Sequence, residues 1–379
     1  MSPPKGSPAG TSPGSIDPAF WRGRKVFLTG HTGFKGSWLS LWLESLGARV
    51  TGFALEPPTT PNLFTLAAVA RGLTSITGDI RDFAALNAAL RASEADVVLH
   101  MAAQSVVKKG YSDPVETYSS NVMGTVNLFE AIRRLGRPCA VVNVTTDKCY
   151  AHREGGPGYR EDEPMGGDDP YSNSKGCAEL VTHSFRLSYF PPAELGRHGV
   201  ALASARAGNA IGGGDWTADQ LIPDLVRGFL SGKPCLIRSP GGIRPWQFVV
   251  EPLRGYLMLA EALVRDGSRF ASGWNFGPAD DDAKPVSWIA DRMVQQWGEA
   301  AKWQLDGAAH PAEAPVLRLD ATKAASVLGW QPAVRLPDTL DWIVEWYQGW
   351  AAGKDPRQLT LEQLDRYQGR LAASGRPAA

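Results

Sequence analysis

Six short apolar runs alternate with longer stretches of helical spacing, and that alternation sets the class of fold. The runs cover residues 25–29, 49–55, 73–79, 96–102, 139–146 and 201–209. Strands separated by helical patterns imply βαβ units and a parallel sheet. Val97, Val98 and Leu99, like Ala140, Val141 and Val142, are apolar without alternation, as expected for strands covered on both faces. The chain therefore reads as an α/β protein with a doubly wound parallel sheet.

The regularity fails after residue 209. Glycine, proline and tryptophan crowd into G-G-G-D-W at 212–216 and P-G-G-I-R-P-W-Q at 240–247, before a helical stretch at 252–265 and an apolar run at 273–276. The expected division is a disordered leader over 1–18, rich in Ser, Pro and Gly, and a main domain over 19–209 with returning segments about 248–278. A smaller, discontinuous lobe takes 210–247 and 279–379. Within it, Leu340, Ile343, Val344 and Tyr347 have the spacing of a packing helix.

Lys plus Arg and Asp plus Glu both number 39, so no global field draws nucleic acid or an anionic membrane. No run is apolar for long enough to suggest a membrane span. Cys139, Cys149, Cys177 and Cys235 lack C-x-x-C spacing, which fits reduced thiols and a cytoplasmic setting. His31, His100 and His183 lack metal-ligand spacing, and no metal is expected. The expected partner is a small molecule.

Gly30, Gly33 and Gly36 follow the first strand and open an apolar helix containing Trp38, Leu39 and Leu41. A glycine turn there brings backbone N–H groups up to a pyrophosphate. The main domain is therefore expected to be of the Rossmann type and to bind a dinucleotide. Asp79 is placed to accept from an adenine amino group, unless it is an ordinary surface acid. Glu56, at the end of the second strand, stands where a ribose 2′-hydroxyl would lie, and no Arg is there for a 2′-phosphate. NAD is preferred over NADP, with Lys35 the cation that could reverse the choice. Tyr171 and Lys175 stand at i and i+4, where a lysine ammonium beside a phenol would favour the phenolate and make it a base.

With these positions in hand, the chain resembles the extended short-chain dehydrogenase/reductases, and within them the nucleotide-sugar 4,6-dehydratases, most of all the group acting on CDP-glucose. The likeness runs through T-G-H-T-G-F-K-G (29–36), H-M-A-A-Q-S (100–105), N-V-M-G-T (121–125), T-T-D-K-C-Y (145–150), Y-S-N-S-K-G-C-A-E-L (171–180), R-A-G-N-A-I-G-G-G-D-W (206–216), I-R-P-W-Q (243–247) and G-W-N-F-G-P (273–278). Relatives for other sugar nucleotides usually have Thr-Asp-Glu where this chain has Thr146, Asp147 and Lys148. Ala210 and Phe248 depart from the group, which often has Val and His there, and Phe248 is expected to alter the substrate rim.

The resemblance implies conversion of CDP-glucose to CDP-4-keto-6-deoxyglucose and water, with NAD regenerated, feeding deoxysugar synthesis for surface polysaccharide such as lipopolysaccharide. It assigns Tyr171 as base at the C4 hydroxyl, Thr146 to the C4 oxygen, Lys175 to the nicotinamide ribose and Asp147 as the acid for the departing C6 hydroxyl. Lys148 is either the base at C5 or a charged group stabilising an enolate or phosphate. A lysine base must be neutral, which at pH 7 costs an ordinary lysine roughly 4 kcal/mol. For the cofactor the resemblance implies Gly30, Thr32, Gly33, Phe34, Lys35, Gly36, Asp79, Ile80, Ala102, Ala103, Gln104 and Asn121, with Tyr171 and Lys175. For the substrate it implies Gln104, Ser105, Arg206, Asn209 and Arg244, and Trp216 and Trp246 are read as ring-stacking or as packing residues. Relatives pair the Asn121 and Tyr171 helices across a homodimer, with a tetramer as the alternative. A 4-epimerase, or a cofactor-binding protein without turnover, are the competing readings; the former does not need the Asp147 and Lys148 pair.

Overall fold

The computed structural model describes residues 14–153, 155–299, 301–308 and 317–374. Its main sheet, among the described residues, contains β1 (Lys25–Thr29), β2 (Arg49–Ala54), β3 (Thr74–Thr77), β4 (Val97–His100), β5 (Cys139–Val144), β6 (Val200–Ala207) and β7 (Gly273–Phe276). All pair in parallel, in the order β7-β6-β5-β4-β1-β2-β3. The strand order reverses between β1 and β4, the switch point at which ligands bind in doubly wound sheets. Several ladders stop short of their apolar runs, so residues 55, 101–102 and 145–146 lie beyond the carboxyl ends. The sixth run ends early too: Asn209, expected in the main sheet, begins a strand of a separate one.

The helices that matter here are α1 (Pro18–Trp21), α2 (Phe34–Ser45), α3 (Phe83–Ser93), α4 (Gly124–Leu135), α5 (Pro170–Ser188), α6 (Val250–Phe270), α7 (Leu336–Ala351) and α8 (Pro356–Ser374). Strand side chains alternate between two cores, as a pleated strand requires. Val26, Leu28, Val97, Leu99, Val142 and Ala203 pack with Trp38 and Trp42 of α2 and Leu253 and Leu257 of α6. Phe27, Val98, Val141 and Leu202 face the other way, to Leu86 of α3 and Leu128, Phe129 and Ile132 of α4. Covering both faces is what makes these runs uniformly apolar.

Strand Asn209–Ile211 pairs in parallel with Ile243–Phe248, which pairs antiparallel with Ala283–Pro285. Phe248 ends the middle strand fully buried, edge-on to Trp38 at 5.7 Å and Trp342 at 5.3 Å. It is a core residue and forms no part of a substrate rim. The last helix, α8, returns to the main domain: Tyr367 meets Trp42 edge-on at 6.0 Å, and Arg357 pairs with Glu44 at 2.5 Å.

The expected leader is too long where it can be compared; residues 1–13 lie outside the described residues. Ile16 is buried, and the Asp17 carboxylate caps α1 by accepting from the Ala19 and Phe20 amides, with Pro18 at the first helical position. Glu261 of α6 fastens this segment, its Oε1 accepting from the Asp17 amide at 2.9 Å and from Trp21 Nε1 at 2.8 Å. Burial pushes the Glu261 carboxyl up from 4.5 to about 7. Because the folded value lies above the unfolded one, the wild type loses stability as pH rises from about 4.5 through 7. Glu261→Gln keeps an acceptor oxygen and removes the titration. Thermal melts should therefore show the variant gaining on wild type between about pH 5 and pH 8, by on the order of 2 kcal/mol; a pH-independent offset would sever this link.

Candidate active site

The turn after β1 is built from backbone. Gly30 has φ +79°, and a Cβ there would stand 2.7 Å from the Ala102 amide nitrogen; a Cβ on Gly36 would meet the Gly30 carbonyl oxygen at 2.1 Å. Gly33 caps α2 without any side-chain bond, leaving first-turn N–H groups for a ligand. Thr32 Oγ1 donates to the Leu55 carbonyl at 2.9 Å, tying the turn to the end of β2. Thr29 Oγ1 accepts from the Met101 and Ala102 amides and contacts His100 Nδ1 at 2.7 Å. Burial brings His100 down to about 3, so the ring is neutral and structural. A side-chain-free cradle at an open helix N-terminus fits a dinucleotide pyrophosphate.

Around the far end of this cradle, Glu56 accepts from Thr77 Oγ1, and the Asp79 carboxylate takes Arg81 Nε at 2.8 Å, which holds it below the usual carboxylate range. Lys35 does not point towards Glu56. Its Nζ lies 3.4 Å from the Tyr256 hydroxyl on α6 and is close enough to Asp147 and Lys175 to act on their charges. Lys35 thus belongs to the catalytic end, and the reading of NAD over NADP keeps its basis. Ile80 is buried against Gly124, while Phe34, Ala102 and Ala103 are partly buried along the turn and the β4 end.

Two expected ligand contacts are already committed within the protein. Asn121 exchanges both bonds with the Gln104 backbone, at 2.8 and 2.9 Å, and also donates to Ser174 Oγ at 2.8 Å. Gln104 spends its side chain on Thr117 Oγ1 and the Val106 amide. They clamp the β4 loop to α5 rather than presenting their amides to a ligand; Ser105 beside them is exposed. Asn121 sits in a π-helical turn, Ser119–Met123, which widens the helix around it.

The reactive groups converge where β5 ends against α5. Asp169 caps α5 by accepting from the Ser172 amide at 3.0 Å and Pro170 opens it, so the helix is fixed one residue before Tyr171. Thr146 Oγ1 donates to Asp147 Oδ1 at 3.0 Å, and Asp147 Oδ2 is buried with no partner among the described residues. Burial pushes the Asp147 carboxyl up, against the pull of Lys148, Thr146 and Arg244. A protonated Asp147 can donate. Lys148 is half-buried, and its ammonium makes no hydrogen bond or ion pair among the described residues; only its amide is engaged, with Thr146 Oγ1.

The expected phenolate is not what the resting site favours. Burial pushes the Tyr171 phenol above its usual range, with the Thr146 hydroxyl pulling the other way. Lys175 Nζ donates instead to the Val144 carbonyl at 3.2 Å, and burial with the nearby Lys35 brings it down to about 8. For both groups desolvation is the largest cause, and it favours the neutral phenol and the neutral amine. Tyr256, buried opposite Tyr171 and Asp147, was invisible in the sequence because no motif links α6 to this site.

The expected substrate positions separate. Arg206 is buried and paired with Glu179 at 2.9 Å, and it offers no fork to a diphosphate. Trp216 packs on Tyr347 and Trp350, and Trp246 donates to the Lys284 carbonyl at 3.0 Å; both are packing residues. Asn209, partly buried, pairs opposite Trp246. Buried Arg244 donates to the Ile243 carbonyl at 2.9 Å and acts on the charge of Asp147, which places it by the reactive groups.

A glycine cradle at the switch point, with Thr146, Tyr171 and Lys175 meeting at the end of β5, is the arrangement of a short-chain dehydrogenase/reductase. Residues 27–342 match the family described as GDP-mannose 4,6 dehydratase, and the chain belongs to that family. It is 55% identical over 352 residues to the CDP-glucose 4,6-dehydratase of Salmonella typhimurium strain LT2, spanning 93% of this chain and 98% of that protein. MoeE5, solved in complex with UDP-glucuronic acid and NAD, superposes with TM-score 0.71 at 26% identity, over 86% of this chain and 99% of that one. DesIV, a dTDP-glucose 4,6-dehydratase from Streptomyces venezuelae solved with NAD and TYD, shares the fold at TM-score 0.70 and 24% identity, over 88% and 99% of the two chains.

Proposed function

We propose that this protein dehydrates CDP-glucose to CDP-4-keto-6-deoxyglucose, using NAD held at the Gly30–Gly36 turn. The observation that carries the reading is Asp147: a buried carboxyl held above its usual range, beside Thr146 and Tyr171, is what loss of a hydroxide-level leaving group requires. An epimerase needs no such acid. The near full-length likeness to a CDP-glucose 4,6-dehydratase supports the same choice.

When bound, NAD supplies a cationic hydride acceptor for C4 and gives the hydride back at C6. Tyr171 takes the C4 hydroxyl proton, with Thr146 holding the C4 oxygen and Lys175 supplying positive charge beside the phenol. The C4 ketone acidifies C5–H; loss of that proton and of the C6 hydroxyl, protonated by Asp147, releases one water and leaves an enone, so atoms and electrons balance. Lys148, half-buried and without a partner among the described residues, reaches this step either as the C5 base or as the charge that stabilises the enolate. Ser105, Asn209 and Arg244 are the expected nucleotide-sugar contacts that remain compatible with their surroundings. The 19–209 and 248–278 segments serve the cofactor, and the excursions between and after them serve the sugar nucleotide. The product suits deoxysugar synthesis for surface polysaccharide, and four unpaired cysteines suit a reducing cytoplasm.

We further propose a homodimer through the outer faces of α5 and the 114–123 segment. Exposed Val115, Met123, Leu180 and Leu187 form an apolar surface there, continuous with a groove lined by Pro114, Tyr118, Val122 and Cys177. Light scattering on Met123→Glu/Leu180→Glu should report a monomer where wild type reports a dimer; an unchanged mass would move the interface elsewhere.

The reaction is tested with CDP-glucose deuterated at C4. Product from wild type should carry the deuterium at C6, whereas deuterium lost to water would break the internal redox cycle. Tyr171→Phe should slow turnover by about 10² to 10⁴ with NAD affinity nearly unchanged. A variant near wild-type turnover would remove Tyr171 from the mechanism.

Lys148→Met separates its two roles. If Lys148 is the C5 base, the variant still forms reduced nicotinamide in rapid mixing but loses C5 exchange with heavy water. If it is the stabilising charge, oxidation itself slows and C5 exchange survives in the oxidised fraction.

A further inference from the structure

Beyond the reacting groups, α5 presents a third member to the end of β5. Glu179 follows Lys175 by four residues and Tyr171 by eight, so the three side chains share one helical stripe. The strand end answers residue by residue. Lys175 Nζ donates to the Val144 carbonyl at 3.2 Å, Thr145 Oγ1 donates to Glu179 Oε1 at 2.5 Å, and the Thr146 hydroxyl lies beside the Tyr171 phenol. One residue earlier, Asn143 Nδ2 donates to Thr182 Oγ1 at 2.8 Å. Glu179 Oε2 meanwhile accepts from Ser204 Oγ at 2.7 Å and Arg206 Nη2 at 2.9 Å. Arg206 carries the network on through Nη1, to the Tyr150 hydroxyl at 2.7 Å and the Glu161 carbonyl at 3.1 Å.

Glu179 and Arg206 are 4% and 5% exposed, so the pair contacts no solvent-filled pocket. A buried ion pair is a poor device for stability, because desolvation offsets its attraction and apolar replacements are often neutral or better. Its worth must lie in geometry. We infer that the Glu179–Arg206 pair is a positioning device: it locks α5 to β5 through Thr145, in the register that sets Tyr171 against Thr146 and keeps Lys175 beside them. The inference rests on the proposed use of Tyr171 and Lys175. Arg206, expected at the diphosphate, acts on the reaction through Glu179 and not through substrate.

The charges around the stripe give this role its own signature. Lys175 is faced by Lys35 from α2, by His100 from β4, by Cys149 after β5 and by Glu179 from its own helix; Lys35 disfavours its charged form and Glu179 favours it, while the neutral His100 ring lies in the field of Lys175. Glu179 is faced by Arg206 and by Arg186 one to two turns on, with Cys149 adjacent. Removing the negative charge of Glu179 should therefore let Lys175 lose its proton at lower pH.

Two sets of variants test the inference, each read by turnover per folded molecule, KM for CDP-glucose and the pH profile of kcat. Thr145→Val cuts the tether without changing any charge: kcat should fall roughly 10- to 100-fold with KM and profile shape nearly unchanged, and Thr145→Ser should restore it. Glu179→Gln/Arg206→Met removes both charges at similar volume: kcat should fall, and its alkaline limb should move to lower pH. Should the double variant fail to fold, the Thr145 pair decides alone. Folded variants with wild-type kcat and an unmoved alkaline limb, or a Thr145→Ser that fails to recover what Thr145→Val loses, would overturn the positioning role. Because Tyr171→Phe is assayed alongside, failure of the underlying site reading appears separately, as turnover that survives loss of the phenol.

Discussion

Burying a parallel sheet on both faces is the constraint from which the rest of this protein follows. Its central strands are buried along their length and are mainly apolar, whereas the edge strand β3, Thr74–Thr77, is mostly exposed and polar. Polar chemistry is left to the ends. At the carboxyl edge the chain turns polar within a few residues, as in Gly30-His31-Thr32 after β1, Gln104-Ser105 after β4 and Thr145-Thr146-Asp147 after β5. The reversal of strand order between β1 and β4 sends the connections away on either side and leaves a crevice at that edge, so a dinucleotide cradle and a reactive cluster can stand side by side.

The same burial governs the electrostatics of the cluster. Asp147 and Tyr171 are pushed up while Lys35 and Lys175 are brought down to about 8, and in every case desolvation is the largest cause. Burial thus favours the neutral form of each of these groups, the protonated form of Asp147 and Tyr171 and the unprotonated form of the two lysines. Two lysines in one dry pocket also repel, and Tyr256 and Asp147 are the groups placed to accommodate Lys35.

Support for this edge comes from residues with no access to a ligand. Asn121 bonds the Gln104 backbone to Ser174, Glu251 gathers the amides of Ala333 and Val334 with the Tyr367 hydroxyl, and Glu179 gathers Thr145, Ser204 and Arg206. Each is a buried polar group satisfied by several donors or acceptors, the condition under which such groups fix geometry instead of destabilising it.

What the sequence determined by itself is whatever short spacing encodes. The strand runs, the glycine turn at 30–36, the Asp169-Pro170 start of α5 and the i, i+4 relation of Tyr171 to Lys175 all follow from the conformational preferences of neighbouring residues. The tertiary structure decided which polar groups reach the site and which are consumed elsewhere. Arg206, Gln104, Trp216 and Trp246, expected at the ligand from the resemblance or as packing, each find their partners within the fold; Phe248 packs edge-on against Trp38 and Trp342; Lys35 and Tyr256, 221 residues apart, meet near Asp147. The physical reason is that desolvation and pairing depend on what surrounds a side chain in three dimensions, and those surroundings come from segments that no local pattern connects.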